Sequence, residues 1–357
     1  MSPTGAMIAL AILVLLVLLV VAHYFASVRR YRVEIPYALV ERLPTPDGTW
    51  IELRRLPGEV SSAQPPVLCV HGIAIDHRNN DMLESLSIAR ALRAAGRDVW
   101  LLTLRSGLES PTWRQRRLVR FDAMARHDVP MAVEEVLERS GASRLDYVGF
   151  SMGGMLLYAA LGRTIDVAAI RRVVILGSPG KMVPPLRLLS TLSKVPRWLV
   201  PGIPLRLASR LVAFVAEPMR TPIHFLVYNP RNVARGVTAP ALMTIRDIAQ
   251  PLMADFAGFL ANDGALSFEG VPSLAGLANV RIPVRFFAGA GDRLAPPEAV
   301  RAAFDAWGAS ETDGVDKAMT VLDQKVHGAD YGHGDLAIGQ NLARDVFAPA
   351  VAFLDAP

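Results

Sequence analysis

Hydrophobic and polar positions follow two patterns along most of this chain, one typical of buried strands and one typical of helices. Short apolar runs such as "PPVLCVHG", "RDVWLLTLR" and "RRVVILGSPG" have the length and β-branched content of buried strands. Between them, "MLESLSIARALRAAG" carries apolar residues at helical spacing and ends at Gly96, which predicts a helix over this stretch. "FDAMARHDVPMAVEEVLERSG" is predicted to be another helix, with Asp128 as its N-cap and Pro130 in its first turn. Strict alternation of strands and helices predicts an α/β fold whose mostly parallel sheet is flanked by helices.

The pattern of predicted strands and helices changes along the chain, and these changes predict the boundaries of its domains. Residues 33–180 begin with a hairpin around a Pro-Asp-Gly turn and continue as strands and helices. Residues 181–280 are rich in Pro, Leu, Met and Arg and show no clear strand. The strand pattern resumes in residues 281–357 with "IPVRFFAGAGD" and "AMTVLD". We therefore predict one core built from residues 33–180 and 281–357, a helical cap inserted at residues 181–280, and an N-terminal anchor in residues 1–32.

The predicted anchor is an uncharged apolar stretch from Ala6 to Ala26. At about 1.5 Å per residue it is just long enough to cross the hydrocarbon core of a bilayer as a helix. A cleaved signal peptide is the alternative, but no basic segment precedes Met7 and no clear cleavage site follows the stretch. Arg29, Arg30 and Arg32 come directly after it, so the positive-inside rule predicts a single-pass membrane protein whose body faces the cytoplasm.

Composition narrows the classes of function. The chain has 357 residues, of which 52% are hydrophobic, and a net charge of +5. That charge is mild, and the sequence contains no basic run with interleaved aromatic residues, so we expect no nucleic-acid partner. No Cys/His cluster has metal-ligand spacing and no phosphate-binding loop follows a strand, so neither a metal nor another cofactor is expected. The single cysteine, Cys69, excludes an intrachain disulfide and is predicted to be a buried, inert thiol.

Candidate chemistry is concentrated in "DYVGFSMGGM", where a predicted strand turns into a predicted helix. A serine is a weak nucleophile that needs exposure, a base and an anion site. A tight strand-to-helix turn exposes Ser151, and crowding in such a turn requires glycine two residues away on either side, as Gly149 and Gly153 are. The helix that follows directs its N-terminal amides at the same point. This context predicts that Ser151 is a nucleophile rather than an ordinary turn serine.

An oxyanion formed at this serine needs two hydrogen-bond donors. The backbone N–H of Met152, directly after the predicted nucleophile, is the first candidate. The second is the N–H of Ile73, in the loop after the strand that ends at His71 and Gly72. His71 itself is predicted to be structural, because the order of elements in this kind of fold places the base last.

The base and the acid are then expected near the end of the chain. Both His327 and His333 follow the last predicted strand, and His333, which has glycine on either side, is favoured as the base. Asp292 ends the strand "FFAGAGD" and is predicted to orient the histidine, with Asp323 and Asp335 as the alternatives. Asp335 is also explained as a helix-start residue that stabilises the helix dipole.

At these residues the chain resembles the α/β-hydrolase superfamily, and within it the acid-lipase (gastric and lysosomal lipase) branch and its bacterial relatives. The matching stretches include "VLCVHG", "FDAMARHDVPMAVEEVL", "YVGFSMGG" and "DYGHGDLAIG". The resemblance implies an α/β-hydrolase fold and ester hydrolysis by Ser151, Asp292 and His333, with a hydrophobic or lipid ester as substrate. Phe150 differs from the family, because these lipases usually carry histidine before the serine.

Two alternatives remain open from the sequence. The same acyl-enzyme chemistry serves an acyltransferase that excludes water, so hydrolysis and acyl transfer are both compatible with this triad. The predicted cap between Lys181 and Arg220 alternates short amphipathic segments with prolines. Its apolar residues, including Trp198, Leu199 and Val200, either rest on lipid or pack on the sheet beneath solvated arginines. The sequence contains no indication of the oligomeric state.

Overall fold

The computed structural model describes residues 2–58, 64–184, 191, 194–216, 224–310 and 314–356. Within these residues, ten strands form an eight-stranded sheet and a two-stranded hairpin. The strands are β1 (Leu39–Pro44), β2 (Trp50–Leu56), β3 (Val67–Val70), β4 (Val99–Thr103), β5 (Leu145–Phe150), β6 (Ile170–Leu176), β7 (Ser267–Phe268), β8 (Val271–Pro272), β9 (Val284–Gly289) and β10 (Lys317–Leu322). The large sheet has the order β1-β2-β4-β3-β5-β6-β9-β10, antiparallel at β1–β2 and β2–β4 and parallel elsewhere.

Fourteen α-helices are defined in the same residues. They are α1 (Pro3–Tyr31), α2 (Ile88–Ala94), α3 (Trp113–Arg117), α4 (Phe121–Ala123), α5 (Val129–Ser140), α6 (Met152–Ala160), α7 (Leu205–Ala216), α8 (His224–Val227), α9 (Thr238–Met243), α10 (Gln250–Ala261), α11 (Pro297–Ala306), α12 (Gln324–His327), α13 (Asp335–Ile338) and α14 (Ala348–Asp355). The segment between β6 and β9 contains α7 to α10 and the β7–β8 hairpin. The expected mostly parallel sheet flanked by helices is therefore confirmed.

The sheet is buried on both faces, which explains why its strands read as continuous apolar runs. Along β5, Leu145 and Tyr147 belong to one hydrophobic cluster, whereas Val148 and Phe150 belong to another. Successive side chains of a strand point to opposite faces, so both faces must be apolar when helices cover both. Cys69, on the neighbouring β3, is a buried free thiol within the second of these clusters.

Helix α1 is longer than the apolar stretch that predicts it. It begins at Pro3, where Ser2 accepts a hydrogen bond from the Gly5 N–H, and continues through the basic residues to Tyr31. By length and composition it is the one helix among the described residues that could cross a membrane, and its most apolar window has no buried residue. It is therefore not a core helix of the body.

Two details of the predicted helices were wrong. The stretch "MLESLSIARALRAAG" becomes helical only at Ile88, because Ser87 accepts the Arg90 N–H at 2.9 Å as an N-cap. Asp128 lies at the N-cap position of α5, with Pro130 in the first turn as expected, but its side chain makes no capping hydrogen bond. The chain is already helical there, because α4 continues through a π-helical turn into α5, and the Asp128 carboxylate instead binds buried Arg105 at 2.7 Å and 2.8 Å. A buried guanidinium needs such a partner more than a helix end needs a cap.

The parallel strands bring several chain segments to one edge of the sheet. Ser151 follows β5, the loop containing Ile73 follows β3, Asp292 follows β9 and His333 follows β10. Because the carboxyl ends of parallel strands lie together, residues that are far apart in sequence meet there. The candidate site lies at this edge.

Candidate active site

Ser151 occupies a strained turn between β5 and α6. Its backbone has φ 51° and ψ −118°, a positive φ that residues other than glycine rarely adopt. A Cβ at Gly149 would lie 2.8 Å from the backbone nitrogen of Gly154, and a Cβ at Gly153 would collide with the carbonyl oxygen of Val70. The crowding expected around the serine is therefore present, and both glycines fit it because they lack a side chain.

A chain of two hydrogen bonds joins Ser151, His333 and Asp292. The Ser151 Oγ lies 2.9 Å from Nε2 of His333, and Nδ1 of the same ring lies 2.7 Å from Oδ2 of Asp292. All three side chains are buried, with residue exposures of 7%, 7% and 3%. An Nδ1–H that donates to the carboxylate leaves the Nε2 lone pair free to accept the serine proton.

Asp292 is held in place from its other oxygen. Its Oδ1 accepts the backbone N–H groups of Leu294 at 2.8 Å and Ala295 at 2.7 Å. Oδ2 is thereby directed at His333 by a rigid turn rather than by a freely rotating side chain. This is the geometry that fixes one tautomer and one orientation of an imidazole ring.

The two other carboxylates considered from the sequence have different partners. Asp323 caps α12 by accepting the Val326 N–H at 2.9 Å. Asp335 begins α13 and accepts the N–H groups of Gly332 and Asn229 and the side-chain amide of Asn232, at 2.8–3.0 Å. Burial raises the pKa of Asp335 to about 6. Asp335 thus ties the loop that contains the candidate base to the segment after α8.

The other two candidate histidines lie elsewhere in the structure. His327 ends α12, and its Nδ1 accepts the Asp323 N–H at 3.2 Å. His71 is fully buried: its Nδ1 donates to the Gly72 carbonyl at 2.8 Å, and its Nε2 accepts the Leu104 N–H at 3.0 Å. Burial lowers the pKa of His71 to about 4, so it is a neutral residue that connects β3 to the end of β4.

The loop after β3 passes directly beside the serine. A Cβ added at Gly72 would lie 2.9 Å from the Ser151 Cβ, so the segment leading to Ile73 packs against the turn. Ala74, the next residue, has a positive φ of 58°. An alanine in this conformation needs surrounding structure to hold it there.

The structure shows how that loop is held, by residues that the sequence interpretation missed. Arg246 donates its backbone N–H to the Ala74 carbonyl at 2.8 Å, and its guanidinium lies 2.6 Å from the Asp76 carboxylate. Arg78 donates to the same Asp76 oxygen, Oδ2, at 2.7 Å. The guanidinium groups of Arg246 and Arg78 oppose the effect of burial and hold the pKa of Asp76 well below its usual range. No spacing pattern could pair Asp76 with Arg246, because 169 residues separate them in the sequence.

A comparison with protein-family models assigns this architecture. Residues 65–333 match the alpha/beta hydrolase fold family. The chain belongs to that family. The matched region extends from the residues just before β3 to the candidate base, and it contains Ser151, Asp292, His333 and the loop after β3.

Relatives of this α/β hydrolase include lipases of the gastric and lysosomal type. Gastric triacylglycerol lipase of Homo sapiens is 30% identical over 141 residues, which is 35% of this chain and 34% of that protein. A putative lysosomal acid lipase/cholesteryl ester hydrolase of Crotalus adamanteus is 33% identical over the same shares of the two chains. The match therefore spans about one third of the length of these relatives.

Solved structures resemble the α/β hydrolase over most of its length. A monoacylglycerol lipase of Paleococcus ferrophilus has a TM-score of 0.56 at 16% identity, with 85% of this chain and 98% of that chain covered. A thermophilic esterase from Thermogutta terrifontis has a TM-score of 0.53 at 16% identity, with 89% and 100% covered. At such identities the likeness concerns the fold.

A cavity of about 380 Å³ opens at the serine of this α/β hydrolase. Ser151, His333, Ile73 and Met152 lie together in its wall. The rest of the wall is predominantly apolar, and much of it comes from the segment between β6 and β9: Met182, Ile203, Leu205, Leu242, Ile248, Met253, Phe256 and Leu260. Transfer of a hydrocarbon chain from water into such a cavity is favourable, whereas transfer of an unpaired charged group is unfavourable.

Two further features of this α/β hydrolase concern its chemistry. Phe150, where the related lipases usually carry histidine, packs its ring 5.1 Å from the His333 ring and so forms an apolar support for it. Across the described part of the chain, no group of three or more His, Cys, Asp or Glu side chains is arranged to hold a metal ion.

Proposed function

We propose that this protein is a membrane-anchored serine hydrolase that cleaves carboxylic esters of hydrophobic or lipid substrates through an acyl-serine intermediate. The observation that carries the proposal is the hydrogen-bonded chain Ser151–His333–Asp292 at the wall of an apolar cavity. Nucleophile, base and orienting acid are each within hydrogen-bond distance of the next, as nucleophilic catalysis requires.

The reaction follows from these positions. Ser151 Oγ attacks the ester carbonyl carbon while His333 Nε2 takes its proton. The carbonyl oxygen becomes an oxyanion that the N–H groups of Ile73 and Met152 stabilise. The imidazolium returns the proton to the departing alkoxide, which leaves as an alcohol. Water then attacks the acyl-serine by the same route, so that the acid is released and the serine is regenerated.

The substrate class is inferred from the cavity. Apolar side chains dominate its wall away from the triad, so the acyl chain gains free energy by leaving water. Two relatives are named for their action on triacylglycerols and on cholesteryl esters, both of which are hydrophobic esters. A hydrophobic ester therefore fits this site better than a charged one.

Membrane anchoring by α1 is the second part of the proposal. The helix is 29 residues long and its apolar side chains are exposed along most of that length. Arg29 and Arg30 lie in its last turn and Arg32 follows, which favours a cytoplasmic position for the body by the positive-inside rule. A cleaved signal sequence would instead be missing from the mature protein, and N-terminal sequencing of the membrane-extracted protein distinguishes the two.

The catalytic proposal is tested with the full chain in detergent. Wild-type protein should hydrolyse p-nitrophenyl esters and become labelled at Ser151 by a fluorophosphonate, with the labelled peptide identified by mass spectrometry. Ser151→Ala should lose both signals while its circular dichroism spectrum is unchanged. Labelling at another residue, or activity of Ser151→Ala within tenfold of wild type, would overturn the assignment.

The same assay addresses acyl transfer. When a long-chain alcohol is added as a competing acceptor, a hydrolase continues to release mainly free acid, whereas an acyltransferase forms mainly the new ester. We expect free acid. A product dominated by the new ester would favour the acyltransferase alternative with the same triad.

A further inference from the structure

Helix α7 exposes apolar residues and buries one of its two arginines. Leu207, Val212 and Phe214 are 55%, 47% and 54% exposed, whereas Arg210 is only 4% exposed. A helix on the surface of a water-soluble domain turns its apolar side inward and its charges outward. The orientation of α7 is the reverse, so its outward face is suited to an apolar environment.

The buried arginine is bonded within the protein and does not reach water. Arg210 Nη1 donates to the Arg206 carbonyl at 3.0 Å, and its Nη2 donates to the Met243 carbonyl at 3.4 Å. Burial lowers the pKa of Arg210 to about 10. The orientation of α7 is thus maintained by specific contacts to α9, and simple rotation of the helix would break them.

Helix α7 also binds directly to the proposed anchor. Nε2 of His23 lies 3.0 Å from the carbonyl oxygen of Leu211, and the His23 and Phe214 rings meet edge to face at 4.7 Å. One turn further along α1, Val28 and Tyr31 pack against a small apolar cluster that includes Ala213. The two helices therefore form one packed pair.

This contact sets the depth of α7 relative to the apolar stretch. His23 lies three residues before Ala26, the end of that stretch, which corresponds to about 4.5 Å along a helix. Interfacial amphipathic helices bury their apolar face about 5–10 Å into the boundary between headgroups and acyl chains. The depth given by the anchor and the depth required by an interfacial helix therefore agree.

We propose that α7 lies on the phospholipid bilayer beside α1, with Leu207, Val212 and Phe214 inserted at its interface. This inference rests on the proposed anchoring by α1. The occupant of the exposed face is then the membrane itself, because the face is continuous with the helix that crosses it. A second protein would have to approach the same face within the membrane interface.

The position of α7 has a consequence for the substrate. Leu242 of α9 lines the cavity and also packs in the apolar cluster with Val28 and Tyr31 of α1. Helix α9 thus contacts the anchor on one side and the cavity that reaches Ser151 on the other. The substrate class this favours is an amphiphilic ester dissolved in the same bilayer, whose chain passes from lipid to cavity without crossing water.

Site-specific labelling tests the position of α7 in full-length protein reconstituted in phospholipid vesicles. Cys69 is buried, so a single cysteine introduced elsewhere can be labelled with an environment-sensitive fluorophore. Val212→Cys and Val271→Cys form a matched pair, since these valines are 47% and 48% exposed. Val271 lies on the β7–β8 hairpin, where Arg163 donates to the carbonyl of the next residue, Pro272. Arg163 follows the C-terminal end of α6, whereas Ser151 precedes the N-terminal end of the same helix. The hairpin is therefore at the opposite end of α6 from Ser151. Leu15→Cys, within α1, reports on the anchor.

Brominated phospholipids should quench the labels at positions 15 and 212 but not the label at 271. Quenching at position 15 alone would overturn the inference about α7 and leave the anchor intact. No quenching at position 15 would overturn both. Hydrolysis of a soluble ester by the unlabelled protein reports separately on the catalytic proposal.

An activity measurement gives a second, independent test. The double variant Leu207→Gln/Val212→Gln should hydrolyse a water-soluble short-chain ester like wild type, because neither residue lines the cavity. It should hydrolyse a long-chain ester dissolved in vesicles about fivefold more slowly, since it loses apolar contact with lipid. The control Val271→Gln should be unchanged on both substrates. Equal rates of wild type and double variant on the vesicle ester would contradict the inference.

Discussion

The sheet core and helix α7 differ in which residue types they bury and which they expose. In the core, Tyr147 and Val148 are completely buried, and the polar side chains at the site are bonded to one another. On α7, Leu207 and Phe214 are exposed and Arg210 is buried. Both regions obey the same physical rule, which is that apolar surface leaves water wherever it can.

The difference therefore concerns the partner of each surface. The apolar residues of the core bury one another, whereas those of α1 and α7 have no protein partner on their outer side among the described residues. If the bilayer is that partner, changes in the core should affect the chemistry with any substrate. Changes on the outer face of α7 should affect only substrates that reside in lipid. The following predictions test the core side of this comparison.

The largest effect is expected at the base. His333→Ala removes the proton acceptor for Ser151 and should lower kcat by several orders of magnitude, on soluble and membrane-dissolved esters alike. His327→Ala is the matched control, because its ring bonds only locally at the end of α12. We expect it to keep most of its activity with p-nitrophenyl esters. If His327→Ala is the inactive variant, the base has been misassigned.

The acid should have the next largest effect. Asp292→Asn keeps the shape of the side chain but favours the wrong tautomer of His333, so kcat should fall about 10⁴-fold with KM nearly constant. Asp323→Asn should retain near-normal kcat, since Asp323 caps α12. Asp335→Asn loses loop contacts and should have an intermediate effect. Normal kcat for Asp292→Asn would rule out its role but would leave Ser151 and His333 unaffected.

A smaller effect is expected where Arg246, from the segment between β6 and β9, contacts the loop after β3. Arg246→Met keeps the backbone bond to Ala74 but leaves Asp76 with one guanidinium fewer, which weakens the support of the loop that contains Ala74 and Ile73. A misplaced oxyanion donor should lower kcat about 10²-fold and change KM little. Arg246→Lys should recover part of this loss, because it restores the charge but not the full bonding geometry. A change confined to KM would indicate that the contact shapes the cavity instead.

The pH dependence of stability should show the smallest effect. The pKa of His71 is lowered from 6.5 to about 4 in the folded protein, so the folded state binds fewer protons than the unfolded state between these values. The free energy of unfolding is therefore unaffected by His71 protonation above about pH 6.5. It decreases as the pH falls from there toward 4, by about 3 kcal/mol in total.

Thermal denaturation of the detergent-solubilised protein from pH 7 to pH 4.5 measures this dependence. In His71→Gln the melting temperature should be lower at pH 7 but should fall less steeply as the pH decreases. His77, which is also buried with a pKa well below its usual value, contributes in the same direction and remains in this variant. Identical slopes for wild type and His71→Gln would show that His71 does not titrate in this way.

Much of the fold was predictable because its signals are local. A strand that is buried on both faces of the sheet must be a continuous apolar run, and runs of this kind predicted the mostly parallel sheet. One of the two details that failed did so because a distant residue bound a side chain that was expected to act locally. Asp128 had the position of an N-cap, but the buried guanidinium of Arg105 binds its carboxylate and the helix continues through it.

The sequence by itself determined the turn at Ser151, the order in which the candidate residues occur and the uncharged apolar stretch near the N-terminus. These features depend on neighbours along the chain, namely glycines beside the serine and the absence of charge over a long run. Only the tertiary structure decided that Asp292 rather than Asp323 or Asp335 lies beside His333, and that Arg246 reaches Asp76. It alone decided that α7 turns its apolar side outward, because burial depends on which surfaces meet in space, and residues far apart in sequence supply those surfaces.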